Sequence, residues 1–273
     1  MEQDAPSHDP ERAADVYTHG HHDSVLTSHR WRTAANSAAY LLAHLRPGDR
    51  LLDVGCGPGT ITADLAAAVA PGAVVAIDRA PGILAEARSA APTADVRIGD
   101  VYALDDDDAS YDVVHAHQVL QHLTDPVAAL REMRRVTRRG GLVAARDADY
   151  AAFTWWPALP GLDDWLELYH AVARSNGAEP DAGRRLLGWA RAAGFAEVTG
   201  SASVWCFATP ADRSWWAESW ATRATSSDFA RQAVDRGLAT TGRLEDIAGA
   251  WLEWGAHPDG WLAIVHGEVL ARR

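Results

Sequence analysis

Between residues 50 and 148 the chain alternates short apolar runs with segments of good helix formers, and this alternation constrains the fold more than any other feature. The apolar runs cover residues 50–55, 73–78, 95–100, 111–120 and 142–148. The helical segments between them cover 60–70, 83–91 and 125–138. Strands that are apolar along their whole length, and that are separated by helices, predict a parallel sheet covered on both faces.

Beyond Tyr150 the pattern changes to helical, Trp-rich sequence, with a sixth strand near 197–207 and a last strand at 260–271. The stretch from about Val25 to Leu45 reads as a helix that ends before Pro47-Gly48. We therefore predict an α/β protein with a Rossmann-like sheet of seven strands, mostly parallel, with helices on both faces.

Composition excludes several classes of protein. The formal charge of −12 repels phosphate backbones, so we expect no nucleic-acid partner. We expect no membrane span either, because no apolar stretch approaches the roughly 20 residues that a helix needs to cross a bilayer. The polar N-terminus does not resemble a secretory signal, which indicates a cytoplasmic protein. Two cysteines are too few for a disulfide framework or a cysteine zinc site.

We predict no metal site. The acidic run Asp105–Asp108 reads as a solvated loop, because adjacent carboxylates splay apart instead of converging on one ion. The histidines of the segment YTHGHH (17–22) are interrupted by Gly20, and no carboxylate spacing supports them as ligands.

The segment LLDVGCGPGT (51–60) follows a predicted strand and opens a helix. Its alternating glycines, at 55, 57 and 59, let the backbone turn sharply and approach a ligand without a Cβ in the way. The amides at the start of the helix favour an anionic group. The spacing differs from a dinucleotide fingerprint, since Thr60 stands where a third glycine would be needed, and the Gly-Lys-Ser/Thr ending of a phosphate-binding loop is missing.

Two further elements fall at strand ends. Asp78 ends the second strand, where an acid can accept both hydroxyls of a ribose. Gly99-Asp100-Val101 ends the third strand, in a position to face an adenine ring. Together with DVGCGPG and the run YDVVHAHQVLQHLTDPVAALREMRRVTRRGGLV (111–143), these elements resemble the class I S-adenosylmethionine-dependent methyltransferases, most closely their UbiE-like, "type 11" small-molecule group. The resemblance covers residues 15–150 and resumes at the last strand.

The resemblance implies a cofactor, S-adenosylmethionine, which becomes S-adenosylhomocysteine, and a small-molecule acceptor. It implies an N-terminal helical lid (1–45), a cofactor-binding core (46–150), a helical acceptor-site region including strand six (151–258) and an antiparallel last strand (259–273). Arg32 could pair with the methionine carboxylate or lie at the surface. The other implied cofactor residues are Asp53, Gly55, Cys56, Gly57, Gly59 and Gln118 around the methionine part, Asp78 on the ribose, and Arg79, Ile83, Gly99, Asp100 and Val101 around the adenine.

The catalytic requirement is to align an acceptor atom behind the methyl group, with a general base where the acceptor is a weak acid. His122, near the end of the fourth strand, is a candidate base, and packing or capping is the alternative. Tyr17, His21 and His22 are candidates from the N-terminal lid. His115 and His117 alternate along a buried strand and could be satisfied core residues.

Twelve tryptophans either fill a second core layer or wall an apolar acceptor pocket, with Trp155 and Trp156 as the best wall candidates. A secondary metabolite or quinone-like acceptor fits an apolar, aromatic pocket.

Three alternative functions stay open. The protein could be a cyclase in which bound S-adenosylmethionine has only a structural or electrostatic role, a cofactor sensor, or a nicotinamide dehydrogenase. Self-association into a homo-oligomer is compatible with the sequence.

Overall fold

The computed structural model describes residues 15–16, 18 and 23–273. The strands in this part of the chain are β1 (Leu51–Val54), β2 (Val74–Asp78), β3 (Asp95–Ile98), β4 (Tyr111–His117), β5 (Thr137–Ala148), β6 (Thr154–Trp156), β7 (Glu197–Phe207) and β8 (Trp261–Arg272). Its helices are α1 (Asp23–Arg30), α2 (Ala34–Ser37), α3 (Ala39–Leu42), α4 (Thr60–Val69), α5 (Leu84–Ala90), α6 (Pro126–Val136), α7 (Pro160–Ser175), α8 (Leu186–Ala192), α9 (Pro210–Ser226), α10 (Asp228–Asp235) and α11 (Thr241–Ala256). None of the described helices is both long enough and apolar enough to span a bilayer.

The strands form one mixed sheet in the order β3-β2-β1-β4-β5-β8-β6, and β7 also pairs with β8. Strands β1 to β5 run parallel to one another, and β8 runs antiparallel to β5, β6 and β7. The predicted Rossmann-like sheet with an antiparallel last strand is confirmed. The described residues form eight strands instead of seven, because β6 has only three residues and is too short to leave a periodic signal. The carboxyl ends of β1, β2, β3 and β4 share one edge, where open α/β sheets bind ligands.

The predicted continuous helix over 25–45 is wrong, because the chain bends after α1 and restarts twice. Thr33 begins α2 with a capping box: its hydroxyl accepts a hydrogen bond from the Asn36 N–H, and the Asn36 side chain accepts one from the Thr33 N–H. These reciprocal bonds satisfy backbone donors only at a helix start, so they favour a new helix over continuation of α1. Ala38, with φ −138° and ψ 19°, then ends α2 and separates it from α3.

The helices between β6 and β8 pack around buried aromatic side chains. The ring of Trp165 lies edge-on to Trp220 and Trp251, with centroid separations of 4.6 and 4.8 Å. Trp165, Trp220, Trp251 and Trp254 are all fully buried. Edge-to-face contacts of this kind add to the stabilisation from burial alone. The prediction that tryptophans fill a second core layer is confirmed for these four.

Candidate active site

The glycine loop after β1 contains three residues in the left-handed region, and they serve different purposes. Gly55, Gly57 and Gly59 have φ values of +68°, +53° and +83°. A Cβ on Gly55 would clash with the side chain of Val119, and one on Gly59 would lie 2.9 Å from the backbone of Ala87. A Cβ on Gly57 would meet no atom within 4 Å. The outer two glycines therefore allow close packing, whereas Gly57 borders open space.

Asp78 connects the end of β2 to this loop. One of its carboxylate oxygens accepts a hydrogen bond from the Gly57 N–H at 3.0 Å, and the other accepts one from the Ala80 N–H at 2.9 Å. Carboxylate bonds from backbone amides are strong, so they hold the loop in one conformation. Each oxygen retains acceptor capacity for a further donor.

A cavity of about 350 Å³ opens at this edge of the sheet, within the size range of small-molecule and cofactor sites. Most residues that the sequence singles out line it: Arg32, Asp53, Gly55, Cys56, Gly57, Asp78, Arg79, Ile83, Gly99, Asp100, Val101, Gln118 and His122. Gly59 is not among the lining residues, because it faces Ala87 of α5. Its expected contact with the cofactor stays a prediction, and a packing role against α5 is what the described residues show.

The sequence missed several residues of the cavity wall. Leu26 and His29 come from α1, which passes over the cavity, and Asp15 precedes that helix. The Asp15 carboxylate accepts a hydrogen bond from the Thr124 N–H at 2.8 Å, which ties the start of the described chain to the loop after β4. No local motif marks these residues, since their positions follow from how the N-terminal segment packs on the sheet.

Asp53 supports the loop from the sheet below. One of its oxygens lies 2.8 Å from Nδ1 of His115 on the neighbouring strand β4, and the other accepts a 2.6 Å hydrogen bond from the Thr62 hydroxyl. Both Asp53 and His115 are buried. A buried carboxylate needs such partners to offset its desolvation. His115 thus has one bonded nitrogen, and both His115 and His117 line the cavity.

A second, narrow cavity of about 20 Å³ adjoins the first. That volume is close to the room needed for a single water molecule. Four residues line both cavities, namely His29, Arg32, Gln118 and His122. The wall of the second cavity is otherwise mainly aromatic, and its aromatic residues are Tyr150, Phe153, Trp205, Trp216 and Trp220.

Trp155 and Trp156 do not line either cavity. Trp155 packs against the buried aromatic cluster, with its ring centroid 6.4 Å from that of Trp165, and Trp156 is 59% exposed. The expectation that these two residues form the pocket wall is therefore wrong. Strand β6 pairs with residues 261–263 at the start of β8, beyond the part of β8 that pairs with β5.

His122 is held by the Gln121 side chain. The Gln121 amide oxygen accepts a hydrogen bond from the Ala148 N–H at 3.0 Å, so the amide nitrogen faces Nε2 of His122, also at 3.0 Å. Nε2 must therefore accept, and the neutral ring carries its proton on Nδ1. Burial, with a contribution from the charge of Arg32, lowers the pKa of His122 to about 3. A neutral ring whose Nε2 lone pair is already engaged is better suited to donate a hydrogen bond than to remove a proton.

The other catalytic candidates, Tyr17, His21 and His22, lie outside the described residues. Among the residues that are described, no three histidine, cysteine, aspartate or glutamate side chains are grouped as metal ligands would be.

Comparison with known proteins identifies the family. A family model described as a methyltransferase domain matches residues 52–145. An uncharacterised methyltransferase of Schizosaccharomyces pombe is 33% identical over 283 residues, which cover 94% of this chain and 96% of the relative. The chain therefore belongs to the S-adenosylmethionine-dependent methyltransferases.

Two further comparisons agree. A demethylmenaquinone methyltransferase of Beutenbergia cavernae is 36% identical over 127 residues, or 46% of this chain and 50% of the relative, which confirms the UbiE-like resemblance. Phosphoethanolamine N-methyltransferase 2 of Haemonchus contortus, solved with S-adenosylhomocysteine, is similar in fold. The match has a TM-score of 0.57 at 16% identity and covers 93% of this chain and 58% of that one.

The residues of the larger cavity fit S-adenosylmethionine. Gly57 borders open space where a Cβ would stand, so a ligand can approach its backbone. Asp78, at the end of β2, offers carboxylate oxygens to hydroxyl donors. Nε2 of His115 is buried at this wall with no hydrogen-bond partner among the described atoms. A cavity with a glycine cradle, an acid at the second strand and unmatched polar atoms is suited to a ligand that has both apolar and polar parts.

Proposed function

We propose that this enzyme transfers the methyl group of S-adenosylmethionine to a small apolar or aromatic acceptor that binds where the larger cavity meets the aromatic wall of the second cavity. The observation that carries this proposal is the aromatic wall of that cavity, joined to the larger one through His29, Arg32, Gln118 and His122. Aromatic side chains around a few polar groups are typical of sites for apolar small molecules. The relative from Beutenbergia cavernae is named for demethylmenaquinone, which supports including hydroquinones among the candidate acceptors.

S-adenosylmethionine, when bound, supplies a methyl group on a cationic sulfur that an acceptor atom can attack directly from behind. The glycine loop and Asp78 would hold its amino-acid and ribose parts, and Asp100 with Val101 would contact the adenine. Such positioning alone can lower a barrier by about 7–11 kcal/mol. The chain's main contribution is therefore to align the acceptor and exclude water.

In this proposal His122 is part of the wall shared by the two cavities and is not the general base. Its Nε2 accepts a hydrogen bond from the Gln121 amide, which places the ring proton on Nδ1. Burial and the charge of Arg32 lower the pKa of His122 to about 3, so the ring stays neutral and does not take up a proton from the acceptor at physiological pH.

The test begins with the enzyme, S-adenosylmethionine and a panel of hydroquinones, phenols and aliphatic amines, with formation of S-adenosylhomocysteine measured by mass spectrometry. Stoichiometric S-adenosylhomocysteine and methylated acceptor would support methyl transfer over a cyclase or a sensor. The absence of both products for every apolar acceptor, with turnover of a small polar amine instead, would contradict the proposed acceptor class.

A matched pair of variants then tests the location. Trp216 lines the second cavity, whereas Trp251 is buried in the same aromatic cluster and lines neither cavity. Trp216→Leu should raise the KM for the acceptor at least about fivefold, an effect of roughly 1 kcal/mol from lost aromatic contact, while the Kd for S-adenosylhomocysteine stays the same. Trp251→Leu should lower the melting temperature without changing that KM. Equal effects of both variants on KM would place the acceptor elsewhere.

A further inference from the structure

Gln118 has an unusual backbone conformation for its residue type. It follows the last residue of β4 and has φ +52°, in the left-handed region that favours glycine. Its N–H donates a 2.7 Å hydrogen bond to the carbonyl of Arg146 on β5, so the chain leaves the sheet at a fixed point. A non-glycine residue in this region is strained, and such strain concentrates at functional sites. The side chain lies where the two cavities meet.

His266 on β8 fixes the orientation of the Gln118 amide. Nδ1 of His266 lies 3.1 Å from the carbonyl oxygen of Ile264, which can only accept, so Nδ1 carries the ring proton. Nε2 of the neutral ring is then an acceptor, and the Gln118 amide nitrogen lies 2.9 Å from it. The reverse amide orientation would place two acceptors against each other at this distance. The carbonyl oxygen of Gln118 is therefore directed away from His266.

The surroundings keep His266 neutral. Its ring is fully buried, with the ring of Trp205 on β7 4.3 Å away and that of His117 on β4 6.3 Å away. Burial lowers the pKa of His266 well below its usual value, and the charges of Arg146 and Arg32 lower it further. Glu268, on the same strand, is engaged by the Ser201 and Ser203 hydroxyls and lies 3.4 Å from Arg146. The Gln118 amide therefore keeps one orientation across physiological pH.

We propose that His266 is a positioning residue that turns the Gln118 carbonyl oxygen towards the junction of the two cavities, where it accepts a hydrogen bond from a ligand N–H or O–H. In this arrangement the strained backbone of Gln118 places its side-chain amide beside His266, which is 148 residues away in the sequence. The ligand donor can come from the amino-acid part of the cofactor or from the acceptor. This role of His266 depends only on the geometry of Gln118 and His266 and is independent of the acceptor's identity.

The test uses the purified protein and calorimetric titration with two probes, S-adenosylhomocysteine and 5′-methylthioadenosine, which lacks the amino-acid part. His266→Phe, which keeps a ring of similar size, should raise the Kd for S-adenosylhomocysteine about 5- to 30-fold, the effect of losing one well-placed hydrogen bond. The Kd for 5′-methylthioadenosine should stay within about twofold. This pattern would assign the donor to the amino-acid part of the cofactor.

A rescue variant and a control separate positioning from general damage. His266→Gln provides a carbonyl that can accept from the Gln118 amide, so it should recover most of the lost affinity. Ser201→Ala removes a hydrogen bond to Glu268 on the same pair of strands but lies outside both cavities, so its Kd should match the unmodified protein. His266→Phe and the unmodified protein could bind S-adenosylhomocysteine equally well, while His266→Phe raises the KM for the acceptor and His266→Gln restores it. That result would assign the hydrogen-bond donor to the acceptor and would support the proposal. If neither quantity changes in a folded variant, the proposal is wrong.

If His266→Phe does not fold, Gln118→Gly tests the same proposal. Glycine relieves the strain at φ +52° and removes the amide, so the melting temperature should fall by no more than about 3 °C, the equivalent of roughly 1 kcal/mol. Affinity for S-adenosylhomocysteine, or else the KM for the acceptor, should worsen about 5- to 30-fold. A variant that retains both would overturn the proposal.

Discussion

Replacing Gly57 with alanine tests whether the open space beside this residue receives the cofactor. The left-handed φ of +53° costs an L-residue roughly 1–2 kcal/mol, which should lower the melting temperature by about 2–8 °C at this chain size. No atom lies within 4 Å of the new Cβ, so the protein alone has room for it. A ligand packed against Gly57 has no such room, and overpacking costs roughly 1–3 kcal/mol. We therefore expect calorimetry to give a Kd for S-adenosylhomocysteine that is about 5- to 150-fold higher.

Gly237→Ala is the matched control. Gly237 has φ +67° and no atom within 4 Å of its Cβ position, and it lines neither cavity. This variant should lose a similar amount of thermal stability and bind S-adenosylhomocysteine normally. If Gly57→Ala also binds normally, or if both variants lose affinity equally, the glycine loop does not cradle the ligand.

Three further outcomes are expected for stability. Gly59→Ala should lower the free energy of unfolding by roughly 1–3 kcal/mol, because its Cβ would lie 2.9 Å from the Ala87 backbone; an unchanged urea midpoint would contradict this. Burial and Arg32 lower the pKa of His122 to about 3, so its contribution to stability is present above about pH 6.5 and is lost as the pH falls towards 3. The melting temperature of His122→Gln should therefore fall less steeply with decreasing pH than that of the unmodified protein, and equal slopes in this acid range would refute this. Burial raises the pKa of Asp147 to about 8, so its contribution is present below about pH 3.9 and is lost as the pH rises through 8. Asp147→Asn should therefore remove part of the decline in melting temperature between pH 5 and 8, and identical slopes would count against it.

The core of the fold and most of the cofactor wall follow from local sequence patterns. Strands β1, β2 and β4 are buried along most of their length, and each ends at the same edge, which brings Asp53, Asp78 and Gln118 to one cavity. Spacing cannot tell which side of a loop a glycine faces, however. Gly57 borders the cavity and Gly59 contacts α5, although the two alternate in the same motif.

The parts that the sequence did not reveal depend on long-range packing. His266 contacts Gln118 only because β8 inserts beside β5, which brings residues 148 positions apart within hydrogen-bond distance. The break between α1 and α2 depends on the reciprocal bonds of Thr33 and Asn36, and the helix-favouring composition around these residues does not reveal it. The aromatic wall combines Trp205 of β7 and Trp216 and Trp220 of α9 with Tyr150 and Phe153, which follow β5, whereas Trp155 and Trp156 line neither cavity.

The central claim is that the loop between β1 and α4, held by Asp78, binds an adenosyl amino acid. Calorimetric titration of the unmodified protein and of Asp78→Ala with S-adenosylhomocysteine, with NAD titrated in parallel, tests it most directly. We expect S-adenosylhomocysteine to bind at one site per chain, NAD to bind far more weakly or undetectably, and Asp78→Ala to weaken S-adenosylhomocysteine at least about tenfold. Tight binding of NAD without S-adenosylhomocysteine, or an unchanged affinity in Asp78→Ala, would contradict the account.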